Sequence, residues 1–194
     1  MEFSKTVQGV DAGALALFSA YLISRMDVEP WVIAIPAISS IKYTFISQKK
    51  DEKDSQWPHY LSWFLTTPIM LLLIFSLNKV SGVTVGILLF LNQLMIASGY
   101  LATVSKKEED VWFWFTLGCL AFLPILYELL TFSNGVPLVL LTLVTWSLYP
   151  IVWYTSRTNL IDKPAQNIAY SLLDFVSKAG LVTLYLAETG RPLV

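Results

Sequence analysis

The chain has 194 residues, of which 55% are hydrophobic and only 14% charged, with a net charge of −1. A soluble domain carries about 25% charged residues, so an ordinary soluble domain is excluded, and near-neutrality leaves no basic footprint for nucleic acid. The single cysteine, Cys119, excludes an intramolecular disulfide; within a helical stretch it reads as a small core residue. No spacing of ligands points to a metal, and nothing points to an enzyme.

Long apolar blocks alternate with short polar joints. In chain order they fall at 10–25, 30–47, 57–78, 81–104, 110–132, 135–156 and 166–187. Most reach the roughly 20 residues that span hydrocarbon; the first two are shorter and broken by serines. Only helices or closed barrels satisfy the backbone in lipid, and barrel strands would be about ten residues long and alternating. The blocks therefore predict an all-α membrane protein, one domain over 1–194 forming a seven-transmembrane-helix bundle in a lipid bilayer. The first block lacks a basic leader. Phe18-Ser19-Ala20 resembles a weak cleavage motif, but the block reads as a retained helix.

Pro30 suits the first turn of helix two. The run Lys49-Lys50-Asp51-Glu52-Lys53-Asp54 reads as a solvated joint. Asn78-Lys79-Val80-Ser81-Gly82 and Ser133-Asn134-Gly135-Val136-Pro137 are turns. Glu108, Glu109 and Asp110 sit where a helix dipole favours acids. Short joints make neighbouring helices antiparallel, so Lys5, Lys49, Lys50, Lys53, Lys106, Lys107, Arg157 and Lys163 share one side, against Arg25, Lys79 and Arg191 on the other. That excess predicts a cytoplasmic amino terminus.

Chemistry concentrates in the last block. Lys178 lies twelve residues after Gln166 and eight before Leu186, about 12–18 Å from either boundary at the helical rise, too deep to snorkel. A charge at that depth marks a functional site by default. Asp174 is one turn earlier on the same face. The pair reads either as an inert ion pair or as a Schiff-base lysine with its counterion. Lys42, five residues from the end of its block, can snorkel. Glu128 reads as interfacial or as part of an exit path, and Glu188 as solvated. Trp57, Trp31 and Trp112 suit interfacial belts; Trp63 and Trp146 fall deeper.

Three segments carry a resemblance: Trp63-Phe64-Leu65-Thr66-Thr67-Pro68 in helix three, Trp146-Ser147-Leu148-Tyr149-Pro150-Ile151-Val152-Trp153 in helix six, and Asp174-Phe175-Val176-Ser177-Lys178 in helix seven. Together, and in this order, they resemble the microbial (type 1) rhodopsins. The resemblance implies all-trans retinal joined covalently to Lys178 as a Schiff base, with Asp174 as counterion and His59, Ser62, Thr66, Tyr43 and Ser177 around the linkage. Tyr43 is expected to hydrogen-bond Asp174. The implied chromophore pocket comprises Trp63, Thr67, Met70, Met95, Gly99, Gly118, Phe122, Trp146, Tyr149, Pro150 and Trp153. Pro36, Ser39, Asn92, Ser98 and Trp114 also match, and Pro150 is expected to bend its helix.

Departures from that pattern bear on transport. Outward proton pumps of the family carry an acid where Ser62 stands and another where Leu73 stands; both are missing. The family's arginine one turn before the acceptor is His59, the one histidine of the chain, which titrates near neutrality. A single helix-seven acid and short length resemble the inward-pumping schizorhodopsins, although their helix-three acid is missing near Leu73. The expectation is light-driven ion translocation other than outward proton pumping, leaning to inward proton transport. The alternatives are an anion channel or anion pump and a non-transporting photosensor that needs a partner. Homo-oligomerisation stays open. The family orientation places the amino terminus outside, opposite to the lysine count.

Overall fold

The computed structural model describes residues 2–48 and 56–193; the charged joint at Lys49–Asp54 lies outside them. Seven helices follow one another: α1 (Glu2–Ser24), α2 (Pro30–Gln48), α3 (Gln56–Leu77), α4 (Gly82–Val104), α5 (Glu108–Leu130), α6 (Val136–Arg157) and α7 (Lys163–Glu188). Their starts have local causes. Pro30 opens α2. The Ser81 hydroxyl caps α4 by accepting from the Thr84 amide at 3.2 Å, and the Asp162 carboxylate caps α7 by accepting from Ala165 at 2.8 Å. Glu108, Glu109 and Asp110 occupy the first turn of α5. Gly135 takes a positive φ of 65° in the joint before α6, which favours a residue without Cβ.

Helix α1 begins eight residues before the predicted block at 10–25. Hydropathy undervalues its first half because the polar residues there point inward. Ser4, Gln8, Asp11 and Leu15 form a buried stripe, while Phe3, Val10 and Leu17 are exposed. The spacing is helical; the polarity is inverted relative to a soluble helix. Among the described residues, six helices are long and apolar enough to cross a bilayer, and α2 is the one of the seven that is not. Lys42 and several hydroxyl side chains lower its hydropathy, and many of these are buried in protein: Ser39, Ser40, Lys42 and Tyr43.

The helices form two compact units. The first holds α1, α2, α7 and α6 from Leu140 onward; the second holds α3, α4, α5 and the opening residues of α6. In the first, α1 packs along α2 and α7, and α2 also meets α7. The Ser40 hydroxyl donates to the Ala12 carbonyl at 2.8 Å, tying α2 to α1. Gly180 permits close approach inside this unit: a Cβ there would lie 2.9 Å from the Leu141 side chain.

In the second unit, α4 packs on α3 and α5. Pro68 lies inside α3 and donates no amide hydrogen, which frees the Phe64 carbonyl four residues earlier. Gln93 on α4 donates to that carbonyl at 3.0 Å, so the proline defect becomes an interhelical bond. Asn92 donates to the Thr67 hydroxyl at 2.8 Å. Gly118 on α5 faces the backbone of α4, where an added Cβ would sit 3.3 Å from the Met95 carbonyl oxygen. Cys119 is half-buried rather than a core residue, because its turn of α5 faces partly outward. Trp31, Trp57 and Trp112 are exposed.

Candidate functional site

The first unit buries a charged centre built on α7. Asp174 is fully buried and Lys178 is 1% exposed. Their i, i+4 spacing places the Lys178 ammonium on Asp174 Oδ1. Tyr149 on α6 donates to the same oxygen at 2.6 Å, and Tyr43 on α2 donates to Oδ2 at 2.8 Å. Tyr43 also reaches the Tyr170 carbonyl at 3.0 Å. Ser177 is buried beside them, its hydroxyl 3.3 Å from that of Tyr149.

Lys42 corrects an expectation. It does not snorkel; it is 5% exposed and its ammonium bonds Asp174 Oδ2, with the amine 3.8 Å from the Tyr43 ring centroid. Its position in α2 points along the packed side toward α7, so protein rather than solvent receives the charge. Two ammoniums and two phenols together fill the roughly four acceptor sites of one carboxylate. Asp11 on α1 is the second acid of this unit's interior, buried and accepting from Ser171. The apolar block at 10–25 places Asp11 at its edge, where an acid reads as solvated. The signal was present: Ser4, Gln8 and Asp11 repeat at helical spacing, so the stripe marks one inward face.

Pro150 and Tyr149 are half-buried on α6, whereas Trp146 and Trp153, seven residues apart, are buried there. Proline at 150 leaves α6 continuous from Val136 to Arg157. Tyr149 stacks on Tyr170, with centroids 5.8 Å apart.

The second unit carries the other residues singled out above. His59, Ser62, Trp63, Thr66, Thr67 and Met70 are buried on α3. The His59 ring lies 5.7 Å from that of Trp63. Thr66 and Thr67 bond back to the Ser62 and Trp63 carbonyls, each at 2.8 Å. Ser62 Oγ is buried with no hydrogen-bond partner among the described residues. Leu73 is buried and apolar. Gly118 and Phe122 are buried on α5, and Met95 and Gly99 are half-buried on α4. Gly99 lies against the Tyr60 ring, 3.1 Å from where a Cβ would stand. Glu188 is exposed and Glu128 half-buried.

The centre of the first unit is thus a buried lysine on the last helix, bonded to an aspartate one turn earlier. The profile of the bacteriorhodopsin-like protein family matches residues 7–190. The chain belongs to that family. Archaerhodopsin-2 of Halobacterium is 31% identical over 142 residues, covering 66% of this chain and 55% of that protein. Halorhodopsin of Natronomonas pharaonis is 30% identical over 138 residues, covering 64% of this chain and 47% of that protein. The chain thus spans about half the length of these relatives. Among solved structures, the proton-pumping rhodopsin AR2 of Acetabularia acetabulum superposes with a TM-score of 0.88 at 20% identity, over 98% of this chain and 96% of that one; this likeness concerns the seven-helix fold. This bacteriorhodopsin-like chain is therefore an integral membrane protein and a microbial rhodopsin by family. Members of the family bind retinal covalently through a lysine Schiff base. The residues present fit that group: a buried primary amine sits mid-helix with a carboxylate one turn away, and the buried residues that follow it on the helix, Leu181, Val182, Tyr185 and Leu186, are apolar or aromatic.

Proposed function

We propose that the protein is a light-responsive retinal protein in which Lys178 is the attachment point and Asp174 the main counterion. The observation that carries this reading is the burial of the Lys178 amine against the Asp174 carboxylate in the middle of α7. Bound retinal supplies absorption of visible light and a change of shape on illumination. The remaining work falls to side chains. Asp174 holds a positive charge at the lysine nitrogen. Tyr43 and Tyr149 fix that carboxylate from two helices through bonds of 2.8 and 2.6 Å; charge-assisted bonds of this kind are worth about 1.5–3 kcal/mol each. Trp146 and Trp153 offer flat apolar walls on α6.

Ion translocation is proposed as the output, but not outward proton pumping. A serine hydroxyl at position 62 does not accept a proton at physiological pH, and Leu73 offers no titratable group. With Asp174 as the one acid on the lysine nitrogen among the described residues, inward proton movement is the transport mode favoured here. An anion channel, an anion pump and a silent photosensor are the outcomes that would displace it.

The test is expression with all-trans retinal, borohydride reduction and peptide mapping. A visible band, lost in Lys178→Ala, with the reduced label on the Lys178 peptide is expected. A band that survives unchanged in Lys178→Ala, or a label on Lys42, overturns the assignment.

A further inference from the structure

The interior of the first unit holds more charge than a lysine and its counterion require. Lys42 on α2 bonds the same carboxylate as Lys178, through the other oxygen. Asp11 on α1 joins the same stretch of α7: it accepts a hydrogen bond from Ser171, 160 residues away in sequence and one helical turn before Asp174. All four charged side chains are less than a tenth exposed. A second ammonium buried at such depth is costly, and a carboxylate shared between two cations balances only one of them. An ionised Asp11 would supply the missing charge. With Asp11, Lys42, Asp174 and Lys178 ionised, the cluster sums to zero; removing either Asp11 or Lys42 leaves it one unit out of balance.

We propose that Lys42 and Asp11 are positioning residues of the counterion site, a resident cation and its own carboxylate, which together set the field that Asp174 exerts at the Lys178 nitrogen. Lys42 competes for Asp174 and weakens that field; Asp11 offsets Lys42 and restores it. The other titratable groups facing this cluster within the unit are Tyr43 from α2, Tyr149 from α6 and Tyr170 from α7. Each donates hydrogen bonds or stacks without adding charge. The inference rests on the assignment of Lys178 and Asp174 made above, and its test separates the two.

Three variants decide it: Lys42→Met, Asp11→Asn, and the two combined. Two quantities are read, the absorption maximum of the retinal-loaded protein and the melting temperature of the retinal-free protein in detergent. Excitation draws positive charge away from the lysine nitrogen, so a more negative surrounding moves absorption to shorter wavelength. Lys42→Met leaves two carboxylates for one cation and is expected to shift the band to the blue. Asp11→Asn leaves two cations for one carboxylate and is expected to shift it to the red. The double variant is expected to lie close to the unmutated protein. In the retinal-free protein, each single substitution is expected to lower the melting temperature and the double to recover most of the loss.

Shifts of the same sign from the two single variants overturn the proposal. So does a double variant no closer to the parent than either single, in colour or in melting. A parent protein that forms no visible band refutes the retinal assignment instead, and the melting comparison then decides the charge cluster by itself.

Discussion

Replacing Asp174 by Asn is the most demanding perturbation of this site. The carboxylate accepts from Tyr149 at 2.6 Å and Tyr43 at 2.8 Å, and it bonds the ammoniums of Lys42 and Lys178. An amide has one acceptor oxygen and turns donors toward two of those four partners, so both ammoniums lose their anion while staying buried. Removing one partner of a buried ion pair costs about 3–5 kcal/mol. At about 1.4 kcal/mol per pH unit, the same energy expressed at the retinal-bearing nitrogen is about 2–4 pH units. Asp11 does not replace the lost contact, because its carboxylate is bonded to Ser171. The retinal-loaded Asp174→Asn protein is therefore expected to have lost its visible band at neutral pH and to regain it on acidification. The assay is a spectrophotometric titration from acid to alkaline pH, parent and variant side by side. A visible band at neutral pH in the variant, bleaching at the same pH as in the parent, would refute the single-counterion argument and point to another anion at the site.

Illuminated cells are expected not to acidify their medium through a protonophore-sensitive outward current, since Ser62 and Leu73 break the usual relay; alkalinisation supports the inward mode, and currents that reverse with the chloride gradient replace it with anion conduction. His59→Arg is expected to shift the absorption maximum or the photocycle rate, because a permanent charge replaces an imidazole buried on α3; an unchanged band and photocycle would return His59 to a packing role. Gly118→Ala is expected to destabilise the protein by no more than about 2 kcal/mol, read as a lower melting temperature, because the new methyl would meet the Met95 backbone oxygen at 3.3 Å while alanine returns about 1 kcal/mol of helix propensity; a higher melting point would mean that α4 and α5 separate freely at that point.

What was legible in the sequence is what depends on neighbours along the chain. The apolar blocks announced seven helices because spanning lipid demands about 20 apolar residues in a row. The Asp174–Lys178 pair was visible because a helix brings residues four apart together whatever else the protein does. Helix α1 was drawn eight residues short, since hydropathy cannot distinguish a polar residue facing water from one facing protein. Lys42 was read as reaching solvent for the same reason: its depth was legible, but its direction was not. Only the packing of α1, α2 and α7 decided that Lys42 shares Asp174 and that Asp11 meets Ser171. Those contacts join residues 132 and 160 positions apart, and they are selected because a buried ammonium needs an opposite charge and a buried carboxylate needs a hydrogen-bond donor. No local periodicity encodes that partner choice.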